Sequence, residues 1–212
     1  MDNSKIALMR DFYVFDSCGY GTTFAATAEE FERCLSVGEN DLGGCFYSKL
    51  ILGDYKDIQF PVVYNEIKGG SSGKKMRDIL DTRYHPLYLI SDRFKNILEE
   101  SGIIGWKSYP IALFDKKGNP VEGYSGFSIS GRAGKMQKFD QPPLEYGYSA
   151  NARGYYFDIE TWDGSDLFNT EGTWFILATE RFIRVLVKNK ITACDYCRLT
   201  DYGDYSKIKT IH

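Results

Sequence analysis

An α+β fold with few helices, mixed or antiparallel sheets and an internally repeated strand–helix–strand unit is the architecture the sequence predicts. Three observations point to it. Two segments, 87–109 (LYLISDRFKNILEESGIIGWKSY) and 175–197 (FILATERFIRVLVKNKITACDYC), carry the same succession of residue types 88 positions apart. Elsewhere, short apolar runs rich in Tyr, Ile and Val are broken by Gly and Pro, as short strands are. The 212 residues, 43% hydrophobic and 26% charged, suffice for one large domain or two small joined ones with a real core.

The elements follow in chain order. Ile6 to Met9 is too short for a signal-peptide core and is followed at once by Arg10 and Asp11. No apolar run approaches membrane-spanning length, so a cytoplasmic protein with no membrane partner is expected. Segment 27–37 (TAEEFERCLSV) reads as a helix: Thr27 and Glu30 have capping-box spacing, and Phe31, Cys34 and Leu35 form an apolar stripe. Segment 49–67 reads as short strands broken at Gly53-Asp54 and at Pro61. Gly69 to Gly73 (GGSSG) is a flexible loop and the natural hinge. It divides an N-terminal α+β part, 1–68, from a C-terminal part, 74–212, that holds the repeat; one continuous domain is the alternative. A short helix is expected over 75–80.

In the first copy, Leu87 to Ile90 is a strand buried on both faces and Ser91 is the N-cap. Asp92 suits the first turn, where the helix dipole favours a carboxylate. Phe94, Ile97 and Leu98 are the buried stripe, Gly102 stops the helix in the left-handed conformation, and 103–109 returns as a strand. The second copy repeats this with Thr179, Glu180, Phe182, Val185 and Leu186; Lys190 replaces the glycine, and 191–197 returns. Each unit of about 23 residues is short for a parallel crossover, which wants ~30. The return strand is therefore placed at a sheet edge or in another sheet. Asp92-Arg93 and Glu180-Arg181 read as parts of a duplicated scaffold rather than as twin active sites. Between the copies, 115–120 is a turn, 126–134 is Gly/Ser-rich and 141–143 is extended.

Few motifs carry chemistry. Gly19 to Phe24 (GYGTTF) has Phe where a dinucleotide turn needs its third Gly. Gly131 to Met136 (GRAGKM) lacks the first Gly and the Ser/Thr of a phosphate loop. Cys194 and Cys197 have metal spacing, but a structural zinc site needs four ligands and only one such pair exists. The repeat also puts both in a strand, where residues three apart face opposite ways. Five cysteines, scattered and odd in number, fit a reducing compartment. The only histidines are His85, beside Pro86, and the terminal His212. No catalytic, cofactor-binding or metal-binding residue is assigned, and no cofactor is expected. A net charge of −3 without a basic run argues against nucleic acid.

The sharpest charge asymmetry lies between the copies. From Gly154 to Glu180 there is no Lys or Arg, and acids alternate with aromatics. Tyr155, Tyr156, Asp158, Glu160, Trp162, Asp163 and Asp166 are the candidate partner-binding residues, since Tyr and Trp are favoured anchors and carboxylates suit a basic partner. The rival from another class is an enzyme using Asp158, Glu160 and Asp163 for acid–base work; a third is an interaction module of other purpose.

Segments 172–199 (GTWFILATERFIRVLVKNKITACDYCRL) and 86–109, a Ser/Thr-Asp/Glu-Arg-Phe helix start after an apolar strand, resemble predicted immunity proteins of bacterial polymorphic toxin systems. They are also similar to the related myxobacterial paralogues named for a double CxxCG motif. The similarity covers about a quarter of the chain. The CxxCG knuckles of those paralogues are absent here, so zinc does not carry over. The resemblance implies a non-enzymatic cytoplasmic protein that binds and neutralises a cognate protein toxin.

Overall fold

A computed structural model describes residues 3–18, 21–30, 46–68, 72–139 and 154–212. The fold is α+β. Its helices are α1 (Asn3–Met9), α2 (Phe46–Leu52), α3 (Asp92–Glu100) and α4 (Glu180–Asn189). Its strands are β1 (Phe12–Ser17), β2 (Ala25–Ala28), β3 (Val62–Glu66), β4 (Ile79–Thr82), β5 (Tyr88–Ser91), β6 (Trp106–Tyr109), β7 (Ile111–Phe114) and β8 (Tyr124–Ile129). They continue with β9 (Gly131–Ala133), β10 (Gln137–Lys138), β11 (Tyr155–Tyr156), β12 (Leu167–Thr170), β13 (Ile176–Thr179), β14 (Cys194–Arg198) and β15 (Lys209–Ile211). A seven-stranded sheet has the order β6-β8-β5-β4-β2-β3-β7, a six-stranded sheet the order β15-β14-β1-β13-β12-β9, and β10 pairs with β11.

The duplication extends well beyond the two 23-residue units. In the first sheet β5 and β6 flank β8, antiparallel to both; in the second, β13 and β14 flank β1 in the same way. The registers coincide residue for residue. Tyr88 faces Phe127 and Ile176 faces Phe15; Trp106 faces Ile129 and Cys194 faces Ser17. Outside these, Ile79 pairs with Ile90 and Leu167 with Ala178. Parallel strands β2 and β9 then border β4 and β12. Each repeat thus begins with a strand, β1 or β8, that is inserted into the other repeat's sheet. This explains the short connection: the helix carries the chain over one antiparallel strand within its own sheet. β6 lies at the sheet edge, whereas β14 is covered by β15.

The two units start and stop as the sequence dictates. Ser91 and Thr179 have extended backbone and accept hydrogen bonds from the Phe94 and Phe182 amides. Gly102 and Lys190 close the helices at φ +61° and +51°, the second an uncommon conformation for a residue with a side chain. Phe94, Leu98, Phe182 and Leu186 are fully buried and share a central core with Phe127 and Phe15 from the exchanged strands. Phe182 meets Phe15 at 5.1 Å and Phe94 meets Phe127 at 6.3 Å between ring centroids.

Two carboxylates fasten the repeats to each other. Asp78, just before β4, accepts from Ser91 Oγ (2.9 Å), from Arg93 Nη1 (2.6 Å) and, in the other repeat, from the Thr192 amide (2.9 Å). Asp166, just before β12, accepts from Thr179 Oγ1 (2.8 Å), Arg181 Nη1 (2.8 Å) and the Ile104 amide of the first repeat (3.2 Å). Each arginine also crosses: Arg93 donates to the Asn189 carbonyl, and Arg181 to those of Ser101 (2.6 Å) and Gly102 (3.0 Å). The arginine of each Arg-Phe pair thus caps the opposite helix.

Several local expectations are corrected. Residues 49–52 belong to helix α2, whose last turn is held by Arg132 on the Leu52 carbonyl and by Ser128 on that of Leu50; such donors satisfy a helix end that sequence alone leaves open. Residues 75–80 are no helix: β4 begins at Ile79, pulled into the sheet by β5 and β2. Thr27 lies in β2 opposite Asn65 rather than at a helix cap, Glu29 and Glu30 are helical as expected, and 31–37 lie outside the described residues, as do Gly69 to Ser71 and 141–143. The Gly/Ser-rich stretch 126–134 forms most of β8 and all of β9. Its Gly126 is required because a Cβ there would sit 2.0 Å from the Tyr109 ring. The 115–120 turn forms as expected, with Asp115 Oδ1 accepting from the Lys117 and Asn119 amides, both at 2.8 Å. Strands from both sides of residue 70 share the seven-stranded sheet.

Asp78→Ala should lower the unfolding free energy by about 3 kcal/mol in urea denaturation, because it strands a charged donor, one amide and two hydroxyls. Burial alone would raise the Asp78 pKa, but the Thr192 amide, Arg93 and Ser91 outweigh it and hold it below the ordinary value. A depressed carboxyl pKa contributes stability above the unfolded value, near pH 4, and loses it as pH falls below that. Wild-type protein should therefore lose part of its margin in acid where Asp78→Ala does not; parallel pH profiles would refute the lock.

Candidate functional site

The acidic aromatic segment is held by local hydrogen bonds and ring contacts. Tyr155 and Tyr156 are half-buried in β11. Tyr155 completes an aromatic trio with Phe175 (6.1 Å) and Tyr202 (5.9 Å), and the Tyr156 hydroxyl donates to Gln137 Oε1 at 2.6 Å while Lys5 lies 4.5 Å above its ring. Asp158 caps the short 3-10 turn Ile159–Thr161 by accepting from the Glu160 amide. Trp162 inserts against Phe12 (5.1 Å) and Phe168 (5.7 Å), its Nε1 donating to the Ser165 carbonyl. Asp163 accepts from the amides of Ser165 (3.0 Å) and Arg132 (2.8 Å), which pins the segment to β9.

Asp158, Glu160 and Asp163 are exposed, in the same short segment as the half-buried Trp162. Asp166 is elsewhere: it is 5% exposed, and its carboxylate is consumed by Thr179, Arg181 and Ile104. Beside Trp162 runs an open groove of about 660 Å³, lined by Leu8, Phe12 and Val185 and rimmed by Arg184 and Lys188 of α4. Leu8 is 55% exposed there. The face therefore combines fixed carboxylates, an aromatic anchor and an apolar trough.

Other candidates fall into place as scaffold. The Arg132 guanidinium turns inward to the carbonyls of Ile129, Gly131 and Leu52, each at 2.7 Å, so segment 131–136 does not cradle an anion. Cys194 and Cys197 lie in β14, buried; Cys194 belongs to the central core, and Cys197 pairs with Val14. Burial pushes the Cys194 thiol well up and the Cys197 thiol to about 11. Among the described residues no group of three or more His, Cys, Asp or Glu is placed to hold a metal, and no helix is long and apolar enough to cross a membrane.

One polar network escaped sequence reasoning. Tyr88, buried in β5, donates to Asp16 Oδ1 at 2.5 Å and lies 2.8 Å from His85 Nδ1; Ser17 donates to Asp81. Asp16 and Ser17 belong to the exchanged strand β1, so the network ties the two sheets together. Burial, then the neighbouring Asp16, pushes the Asp81 carboxyl up. The signal was available once the repeats are aligned: Ile176 and Asn169 stand where Tyr88 and Asp81 do. His85, 56% exposed at its side chain, is a member of this network rather than an isolated loop residue.

No protein-family model matches the chain, and no curated protein matches it.

Two outcomes check this assignment. An acid with a raised pKa costs the fold stability as pH rises from its unfolded value through its folded one. Asp81→Asn, which copies Asn169, should shift the urea midpoint upward at neutral pH and leave it unchanged below about pH 4; a midpoint that falls at neutral pH would contradict the reading. Cys194 and Cys197 should react with a thiol reagent only after denaturation, since the thiolate is the reactive form; fast labelling of the native protein would show them open.

Proposed function

We propose that the chain is a non-enzymatic binding protein of the immunity type, acting in the cytoplasm to occupy and neutralise a cognate bacterial toxin. The observation that carries this is the exposure of Asp158, Glu160 and Asp163 in one short hydrogen-bonded segment with Trp162, which itself lines an apolar trough. A pre-ordered surface loses little entropy on association. Carboxylates speed encounter with a basic partner, and a half-buried Trp is a favoured anchor. The resemblance of 86–109 and 172–199 to immunity proteins supplies the toxin as partner class. The binding reading is favoured over acid–base catalysis because Asp158 spends one oxygen and Asp163 both of its oxygens on main-chain amides, which suits turn-building more than proton transfer.

The test looks for a toxin-domain gene beside this one and uses its product. Co-expression of the chain should restore growth, and the purified pair should associate. Asp158→Asn/Glu160→Lys keeps the turn acceptor of residue 158 while removing the charge, and leaves in place Asp163, both of whose oxygens hold main-chain amides. The double variant should weaken binding at least tenfold, about 1.4 kcal/mol, with an unchanged melting temperature. Full affinity in that variant would move the interface off this face; absence of any rescue or association would overturn the immunity reading.

A further inference from the structure

The duplication supplies an internal comparison, because two copies of one backbone carry different surfaces. Beyond the outer rim of α4, the second sheet continues as an exposed shelf toward β15. Helix and shelf enclose a groove of about 570 Å³. Its floor is Tyr13 and Tyr196, with rings 6.2 Å apart. Five cations line it, Arg184, Lys188, Arg198, Lys207 and Lys209, against only Glu180 and Asp201. This is a local excess of positive charge in a chain whose net charge is −3. Two of the cations are pre-positioned: Arg184 by its 3.1 Å pair with Glu180, and Arg198 by a hydrogen bond to the Arg10 carbonyl and by lying 5.4 Å over the Tyr13 ring. Lys188, Lys207 and Lys209 make no ion pair among the described residues and are exposed.

The first copy shows that the scaffold does not demand any of this. In the same places it carries Asn96, Glu99 and Glu100 for Arg184, Val187 and Lys188, Ser108 for Tyr196, Pro110 for Arg198 and Ser125 for Tyr13. Caps, stripes and registers are kept while the outer surface changes sign, and an aromatic floor stands where the other copy has serines.

We infer that the groove between α4 and strands β14 and β15 is a docking site for an acidic segment of a protein partner. Side-chain carboxylates would lie along the lysines and arginines, and an apolar or aromatic residue would stack on Tyr196. An acidic peptide fits better than nucleic acid for two reasons. The cationic run is short and ends at Glu180 and Asp201, and a net negative chain repels a phosphate backbone leaving the groove, whereas nucleic-acid sites present a long basic stripe. The groove shares Glu180, Arg184 and Lys188 with the trough beside Trp162, but its tyrosine floor and the cations Arg198, Lys207 and Lys209 belong to it alone, and the inference does not rest on the toxin reading.

The probe is a short fluorescein-labelled peptide of alternating Glu and Tyr, with Gln–Tyr and single-stranded DNA of matched charge as comparisons. Fluorescence anisotropy should show saturable binding of the Glu–Tyr peptide that weakens as salt is raised. Lys188→Glu/Lys207→Glu/Lys209→Glu should weaken it at least tenfold, and Tyr196→Ser, which copies the first repeat, several-fold. Lys95→Glu on α3 should leave it unchanged. Melting curves check each variant, and Lys209→Glu alone serves if the triple variant is unstable. The inference is overturned if the Glu–Tyr peptide fails to bind or binds no better than Gln–Tyr, or if the groove variants bind it normally. It is equally overturned if Lys95→Glu weakens binding as much, which would make the effect one of net charge, or if the DNA binds more tightly.

Discussion

The carboxylates of Asp78 and Asp166 hold the molecule in the form it has. Each lies just before β4 or β12, takes the N-cap hydroxyl and the arginine of that repeat's helix, and then reaches an amide of the opposite one. A buried carboxylate without such partners would be costly; with four donors in the case of Asp78 it is among the strongest polar contacts available to the fold. The geometry is also selective. The donors come from both repeats, so the carboxylate is satisfied only when the two repeats sit in this one relation. Hydrophobic packing of Phe94 against Phe182 could tolerate a shifted arrangement, whereas the reciprocal hydrogen bonds could not.

The exchange of β1 and β8 follows the same logic. A repeat alone would leave an open slot between β5 and β6, or between β13 and β14, with two strand edges unpaired. Filling each slot with the other repeat's first strand buries Phe15 and Phe127 beside the opposite helix and makes neither sheet complete by itself. Stability, in this arrangement, belongs to the pair of repeats. That is why a network such as Asp16, Tyr88 and His85 can bridge the two sheets on one side while Ser128, Ile176 and Thr173 stand in the matching positions on the other.

The strand–helix–strand units were legible because their information is local. Ser91 and Thr179 as caps, Gly102 as a stop and the Phe94-Leu98 stripe each act within a few residues. The acidic face was legible as composition, since the turn residues Asp158 and Asp163 signal themselves. What stayed hidden depends on distant partners. Nothing near Gly126 announces that Tyr109 packs on it, and α2 is completed by donors from Ser128 and Arg132. Asp166 looked like its acidic neighbours in sequence, and only the fold reveals that it faces Arg181. The exchange itself leaves no local trace, because β1 (FYVFDS) and β8 (YSGFSI) have only the phenylalanine of Phe15 and Phe127 in common and differ in burial.

Once the duplication is understood, it separates scaffold from specialisation without any other sequence. Positions alike in both copies, the caps, first-turn acids, Arg-Phe pairs and locking aspartates, are explained by folding. Positions that differ on an equivalent backbone are free of that demand, and they cluster. They gather where Tyr88 and Asp81 replace apolar or neutral residues, and along the outer side of α4, where cations and tyrosines replace acids and serines. The segment inserted between β9 and β12, which carries Trp162 and its carboxylates, belongs to one repeat only, as α2 and β3 belong to the other. A scaffold that two copies can build equally well has been given a different surface on each, and binding is the kind of function that such a division serves: a rigid frame fixed by reciprocal bonds, with recognition written where the copies are free to diverge.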